Sequence, residues 1–259
     1  MGQRTQYTPG TFSWTDLTTT DQEAAKTFYA ALFGWTYEDR PAGDGVVYSM
    51  ATVDGHSVAA ISPQPEQQRN AGAPPIWNSY ITVPDAAAAL ARARELGASV
   101  HADAFDVMDA GRMGVVQDPQ GAYFCVWEPR ATIGAELVNA PGALCWNELG
   151  TPDIQGSARF YGDLLGWTTQ TLPGDVPYEV VMTAAGRSNG GLRAPMPEDA
   201  PPFWLVYFAT DDLGVSLAKV SEHGGRVLMG DTDIGMAHIA VVTDPQGGVF
   251  ALYDGRLED

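Results

Sequence analysis

Short runs in which hydrophobic and polar residues alternate occur along the whole chain and predict half-buried β-strands. Residues 14–17, 46–51 and 77–83 are such runs, rich in aromatic and β-branched side chains. Ala-rich stretches follow Asp21 and Asp85, and an aspartate directly before such a stretch is typical of a helix N-cap. Each predicted helix ends at a glycine: Gly34, Gly97, Gly166 or Gly224. The order of these elements predicts a repeating βαβββ unit.

The second half of the chain repeats the first. Trp14 recurs 132 residues later as Trp146, and the tetrapeptide Asp-Pro-Gln-Gly occurs near the end of both halves. A weaker similarity inside each half brings the number of βαβββ modules to four. Self-similarity of this kind indicates duplicated domains. We therefore expect a first domain at 1–130, a linker at 131–143 and a second domain at 144–259.

Three features of the modules carry a resemblance to a known family. They are the pairing of βαβββ modules, a helix ending in Phe-Tyr followed by Leu-x-Gly-Trp at Trp35 and Trp167, and a terminal Asp-Pro-x-Gly hairpin. Together they resemble the vicinal oxygen chelate superfamily, also called the glyoxalase/bleomycin resistance protein/dioxygenase superfamily. The resemblance covers nearly the whole chain. It implies an α+β fold with two tandem glyoxalase-like domains whose sheets curl into cups, similar to two-domain actinobacterial members.

Enzymes of this superfamily hold a divalent metal ion at the base of the cup with His and Glu side chains. The resemblance places those ligand positions at Trp14, Asn78 and Cys125 in the first half and at Trp146, Leu205 and Ala251 in the second. Trp, Leu and Ala offer no suitable donor atom for such an ion. We therefore expect no metal site of the glyoxalase or extradiol-dioxygenase type and no cofactor. A flavin or deazaflavin is a third alternative, without a phosphate-binding motif to support it.

The charge of the chain excludes several classes of partner. Asp and Glu number 32 against 14 Lys and Arg, so the net charge is −18 and the field repels nucleic acid and anionic membranes. An acidic surface favours a cationic small molecule, although such surfaces commonly serve solubility alone. Cys125 and Cys145 are too few for a disulfide framework. The N-terminal residues lack the apolar stretch of a secretory signal, and we expect a cytoplasmic protein.

Aromatic and methionine side chains supply the candidate ligand contacts. Trp14 and Trp146 stand at former metal-ligand positions, and Asp16 and Glu148 follow two residues later, so alternation turns each carboxylate toward the same face as its tryptophan. Tryptophan rings stack on flat ligands, and thioethers adapt to them, although both can equally fill a core. The candidate ligand-binding residues are Trp14, Asp16, Tyr48, Met50, His56, Trp77, Arg112, Trp127, Trp146, Glu148, Met182, Trp204, Met236 and His238.

Two functions follow from these residues. The first is metal-independent binding of a planar aromatic, cationic or neutral, natural product, for self-resistance or as an accessory to an antibiotic pathway, with a pathway oxygenase as a candidate protein partner. The alternative is a metal-free enzyme, such as a hydroxylase-like enzyme, cyclase, epimerase or isomerase. Its acid or base would come from His238, Arg112, Asp16 or Glu148.

Overall fold

The structure, a computed structural model, describes residues 2–43, 45–174 and 176–257. Its first half forms one sheet with three helices. The strands are β1 (Phe12–Thr19), β2 (Thr36–Pro41), β3 (Val47–Val53), β4 (His56–Pro63), β5 (Ile76–Thr82), β6 (Ser99–Val107), β7 (Gly111–Gln117) and β8 (Tyr123–Pro129). The helices are α1 (Gln22–Phe33), the short α2 (Glu66–Asn70) and α3 (Ala86–Glu95). The strand order is β2-β3-β4-β1-β5-β8-β7-β6.

The second half repeats this arrangement. Its strands are β9 (Leu144–Gly150), β10 (Thr168–Thr171), β11 (Tyr178–Met182), β12 (Ser188–Arg193), β13 (Phe203–Ala209), β14 (Arg226–Asp233), β15 (Ala237–Thr243) and β16 (Val249–Gly255). The helices are α4 (Ile154–Leu165) and α5 (Leu213–Glu222). The order β10-β11-β12-β9-β13-β16-β15-β14 matches that of the first sheet. The predicted α+β fold, with four βαβββ modules in two tandem glyoxalase-like units, is confirmed.

Local chemistry fixes the ends of the helices where the sequence predicts them. The Asp21 carboxylate caps α1 by accepting from the backbone N–H of Ala24, and Asp85 caps α3 in the same way. Helix α1 ends at Gly34, whose φ of 74° lies in the left-handed region that glycine adopts without strain. In the first turn of Asp-Pro-Gln-Gly, Asp118 accepts three backbone N–H groups with its Oδ1. These contacts fix the starts of α1 and α3, the end of α1 and the conformation of the first Asp-Pro-Gln-Gly turn.

Aromatic side chains of α1 and α4 contact the sheet of the other half. Phe33 of α1 lies 5.3 Å from Phe208 of β13, and Tyr29 lies 5.4 Å from Phe250 of β16, measured between ring centroids. Tyr161 of α4 makes the reciprocal contact at 5.4 Å with Phe124 of β8. Each sheet therefore presents one face to the interface between the halves. The opposite face forms the cup.

Buried hydrogen bonds also connect the two halves reciprocally. The Tyr29 hydroxyl donates to Asp244 Oδ2 at 3.1 Å, and the Tyr161 hydroxyl donates to Asp118 Oδ2 at 2.9 Å. The aspartates of the two Asp-Pro-Gln-Gly turns therefore hold the halves together. Among the described residues, no helix is long and apolar enough to cross a membrane.

Candidate functional site

Strand alternation places a set of polar and aromatic side chains in the first cup. In β1, Trp14 and Asp16 point to this face, while Leu17 lies on the interface side beside Trp77. The antiparallel register sets Asp16 opposite Asn78 and Trp14 opposite Tyr80. The other inward residues of this cup are Tyr48 and Met50 on β3, Met113 and Val115 on β7, and Cys125 and Trp127 on β8.

Asp16 is the centre of a hydrogen-bonded network at the base of the cup. Its Oδ2 accepts from the Tyr48 hydroxyl at 2.9 Å and from the Tyr80 hydroxyl at 2.8 Å, and its Oδ1 accepts from Asn78 Nδ2 at 2.8 Å. The Trp14 indole N–H donates to the Tyr48 oxygen at 2.9 Å and extends the chain. The carboxyl group thus receives three neutral donors and, among the described residues, lies in no ion pair.

Burial changes the acidity of these groups. Asp16 is 4% exposed, and desolvation raises the pKa of its carboxyl above the ordinary value, partly offset by the hydrogen bonds from Asn78, Tyr80 and Tyr48. Desolvation and the neighbouring Asp16 also raise the pKa of both tyrosines, which therefore stay protonated. Burial raises the pKa of the Cys125 thiol as well, so it is not a nucleophile at neutral pH.

The second cup has a related network in which Glu148 replaces Asp16, Leu205 replaces Asn78, and an arginine is added. The Trp146 indole N–H donates to the Tyr178 hydroxyl at 3.0 Å, and the Tyr207 hydroxyl donates to Glu148 Oε1 at 3.0 Å. Here the carboxylate also forms an ion pair with the Arg193 guanidinium, and both side chains are largely buried. The Arg193 charge therefore balances the Glu148 charge inside the protein.

A cavity of about 430 Å³ opens beside the first cup. Met50 and Ser57 form its sheet side, and residues 131–134 with Glu136 of the linker lie across it. The linker is held there by backbone hydrogen bonds from Ala135 to Ser13 and from Glu136 to Ser57. The remaining lining residues are Arg4, Thr5 and Arg40. The cavity volume is within the range of small-molecule sites.

The side chains at the expected metal positions do not fit a divalent ion in either cup. Trp14 donates its indole N–H to Tyr48, Asn78 turns its amide N–H toward Asp16, and burial raises the pKa of the Cys125 thiol. In the second cup, Leu205 and Ala251 have no donor atom at all. The part of the chain that the structure describes contains no group of three His, Cys, Asp or Glu side chains placed to hold a metal ion.

Two predicted site tryptophans lie outside the cups. Trp77 is 3% exposed, donates to the Tyr29 hydroxyl at 3.0 Å, and packs 4.9 Å from Phe208 of the other half. Trp204 donates to Tyr161 at 2.9 Å in the symmetric position. Alternation along β5 and β13 turns both side chains to the interface between the halves, away from the carboxylate networks of the cups.

Arg112 and His238 also face away from the cups. Arg112 alternates with the inward Met113 and donates to the Ala104 carbonyl at 3.1 Å. His238 alternates with Ile239 and contacts Asp231 at 2.6 Å, on the side of the sheet where α5 begins. The hydrogen bond and charge of Asp231 raise the pKa of His238. Both side chains therefore lie on the helix side of their sheets, away from the carboxylate networks.

The remaining predicted residues divide between cup and periphery. Met50 and Trp127 are buried in the first cup, where the Trp127 indole N–H donates to the linker carbonyl of Thr132 at 3.1 Å. His56 lies at the β3–β4 turn, with its Nε2 2.9 Å from the Gln3 amide nitrogen. Met182 is half-buried at the end of β11, and Met236 is exposed before β15. Among the described residues, neither methionine is found in contact with a carboxylate network.

Sequence reasoning missed four members of the two networks. They are Tyr80, Tyr178, Tyr207 and Arg193. The repeat itself contained the signal for the tyrosines, because Tyr80 recurs as Tyr207 at the same offset as Trp77 and Trp204. No equivalent signal marked Arg193, since the first half has a serine, Ser62, at the matching strand position.

Comparisons with known proteins agree with this architecture. The profile of the Glyoxalase/Bleomycin resistance protein/Dioxygenase superfamily matches residues 11–126 and 144–252. CFP32 of Mycobacterium tuberculosis (strain CDC 1551 / Oshkosh), provisionally named a glyoxylase, is 43% identical over 256 residues, with 97% of each chain covered. The anthracycline biosynthesis protein DnrV of Streptomyces peucetius is 32% identical over 276 residues, covering 97% of this chain and 96% of its own.

Solved structures show the same fold at low identity. The Mn(II)-bound glyoxalase of Novosphingobium aromaticivorans has a TM-score of 0.66 at 16% identity, covering all of this chain and 84% of its own. The 2,3-dioxygenase LapB of Pseudomonas sp. KL28 has a TM-score of 0.64 at 15% identity, covering 98% and 96%. With a family profile that matches both halves and relatives that span the full chain, this protein belongs to the glyoxalase/bleomycin resistance protein/dioxygenase superfamily.

Proposed function

We propose that the protein binds a planar aromatic natural product in its first cup, without a metal ion. The observation that carries this proposal is the Trp14–Tyr48–Asp16 hydrogen-bonded chain, which begins at Trp14, one of the positions where the resemblance places a metal ligand. Met50 of the first cup also lines the cavity of about 430 Å³, which provides room for a small molecule. The second cup has Arg193 paired with its carboxylate, so the first cup is the better candidate.

The lining of the first cup suits an aromatic ligand. Trp14 and Trp127 present indole rings, and each aromatic contact with a flat ring adds about 0.5–1.5 kcal/mol beyond the area it buries. Met50 and Met113 add flexible thioether contacts that adapt to the shape of a ring system. Similarity to DnrV, an anthracycline biosynthesis protein, supports a natural product of this class. Sequestration of such a product or support of a pathway enzyme would follow from binding.

A titration with native mass spectrometry tests the proposal. Anthracycline-type and other planar aromatic compounds are added to the dialysed protein, tryptophan fluorescence is followed, and the bound mass and metal content are read from the same sample. We expect saturable quenching by one compound class, recovery of that compound at unchanged mass, and loss of the quenching in Trp14→Phe. A panel without binding tighter than about 100 μM would contradict the proposal.

Trp146→Phe is the matched variant in the second cup. It removes the indole that corresponds to Trp14 but leaves the first cup intact. Loss of affinity in Trp146→Phe alone would move the ligand to the second cup. Loss in Trp14→Phe alone supports the first cup.

A metal-free enzyme is the second candidate, and Asp16 is the observation that favours it. Its buried carboxyl has a raised pKa, which is the usual state of a general acid. Conversion of the bound compound to a product of different mass in the presence of a chelator, abolished by Asp16→Asn, would establish catalysis. Recovery of the compound unchanged in that experiment supports binding alone.

A further inference from the structure

The two cups have the same base but balance its charge in different ways. Each cup sets a tryptophan and two tyrosines around one buried carboxyl group, Asp16 in the first and Glu148 in the second. Arg193 supplies a positive charge to Glu148. Asp16 receives only neutral donors, including the Asn78 amide at the position that Leu205 occupies in the second cup. The first cup therefore contains a carboxyl group whose charge no described side chain balances.

Strand register identifies the position in the first cup that corresponds to Arg193. Asp16 pairs with Ala60 of β4, and Glu148 pairs with Gly191 of β12, so these two pairs are equivalent. Two residues farther along each strand stand Ser62 and Arg193. Tyr178 is directly opposite Arg193 across β11 and β12, in agreement with the equivalence of Tyr178 and Tyr48. Ser62 has no charge and is too short to reach Asp16 as Arg193 reaches Glu148.

We propose that the first cup binds a ligand through a protonated amine, which takes beside Asp16 the place that the Arg193 guanidinium takes beside Glu148. In the second cup, Arg193 of the protein itself makes the interaction that the ligand's amine would make in the first cup. This inference rests on the proposed function, because it names the charged group of the aromatic molecule expected there. A buried carboxylate attracts a cation strongly, since little water screens the pair.

The surroundings of the first cup support a cation over an anion. Tyr48 and Tyr80 already direct their hydroxyl protons at Asp16, so an anionic ligand would meet the carboxylate without a donor between them. The net charge of −18 adds a long-range field that attracts cations.

A pair of ring systems that differ in charge tests the inference. The probes are 9-(aminomethyl)anthracene, whose primary amine is protonated at neutral pH, and 9-(hydroxymethyl)anthracene, a neutral compound with the same ring system and size. We expect the wild-type protein to bind the amine at least about 30-fold more tightly than the alcohol, as for a buried charge pair. Asp16→Asn should remove this preference. Ser62→Arg, which places a guanidinium where the second cup has one, should abolish binding of the cation.

Controls separate these effects from general ones. Asp163→Asn removes one negative charge from an exposed position on α4, and it should leave both affinities unchanged. Thermal unfolding shows whether Ser62→Arg folds, and Asp16→Asn, which keeps the shape of the side chain, tests the inference independently. Equal affinity for the two probes, or a preference that survives in Asp16→Asn, overturns the inference and leaves the proposed function standing. If the protein binds neither probe, the inference is also overturned. The titration with the compound panel tests the proposed function separately.

Discussion

Asp16 makes the stability of the fold depend on pH. Burial raises its pKa in the folded protein, whereas in the unfolded chain the carboxyl titrates near the ordinary value of about 3.9. Between these two pKa values the folded state binds more protons than the unfolded state. Its contribution to stability is therefore largest below about pH 4 and declines as the pH rises through the folded pKa.

Asp16→Asn should remove this decline. We expect the free energy of unfolding, measured with urea from pH 4 to pH 8, to increase in the variant relative to the wild type as the pH rises. Asp118 and Asp244 also have raised pKa values, but they remain in both proteins and cancel in the comparison. Asp163→Asn, at an exposed site, should follow the wild-type curve. A difference between Asp16→Asn and wild type that is constant over this range would contradict the expected role of burial.

For single residues, strand alternation in the sequence predicts some of the observed side-chain directions and not others. Trp14 and Asp16 share a face because they are two residues apart in a strand, and that relation is visible without a structure. Arg112 and His238 were matched by their place in the repeat, which does not show the direction of a side chain. Arg193 was unpredictable, because its pairing with Glu148 depends on a parallel strand contact 45 residues apart.

Among the elements, the linker packs against the first half more closely than its composition predicts. Its Pro-Gly pair and polar residues indicate a connection between domains, and it does connect them. Ala135 and Leu137 are nevertheless buried, and residues 131–134 line the cavity beside the first cup. Such packing depends on long-range backbone contacts that leave no periodic pattern in the sequence. The position of linker residues 131–134 over the cavity could therefore not be predicted, whereas the strands and capped helices could.

Gly134 is the residue that lets the linker approach β1. Its φ is +113°, and a Cβ built there would lie 2.3 Å from the Ser13 carbonyl oxygen, so any side chain must displace the backbone. We expect Gly134→Ala to destabilise the protein by about 1–3 kcal/mol and to weaken aromatic ligand binding. Urea unfolding and fluorescence titration measure the two effects.

A matched glycine gives the control for that substitution. Gly55, at the β3–β4 turn, also has a positive φ, but a Cβ there meets no atom within 4 Å. Gly55→Ala therefore reports the cost of backbone strain alone. If Gly134→Ala cost no more than Gly55→Ala and bound ligand normally, the linker would not be fixed by its contact with β1.

For the whole molecule, the reciprocal exchange of aromatic contacts through α1 and α4 buries side chains between the two halves. Trp35 donates its indole N–H to the Gly142 carbonyl at 2.8 Å, and Trp167 donates to the Gly10 carbonyl at 2.7 Å. With Trp77 and Trp204, these residues form two symmetric aromatic clusters across the interface. The sequence predicted two units, but the conserved spacing of these tryptophans in the repeat could not show that they contact the other unit.

Because of this exchange, neither half should fold by itself. A chain of residues 1–139 would expose Tyr29, Phe33 and Trp35 of its aromatic cluster, and a chain of residues 140–259 would expose the symmetric cluster. We expect each half alone to aggregate or to lack a cooperative thermal transition. Coexpression should give a one-to-one complex with a cooperative transition, because the buried contacts between halves then form again.

Size-exclusion chromatography and circular dichroism of the separate and coexpressed halves check this expectation. The full chain, cleaved at a protease site inserted after residue 139, provides the control, because its halves have already folded together. A complex that persists after cleavage but does not form from separately produced halves would mean that covalent connection is needed for folding and not for stability. Monomeric halves that each unfold cooperatively near the transition temperature of the full chain would show that the interface contributes little, contrary to its buried aromatic and hydrogen-bonded contacts.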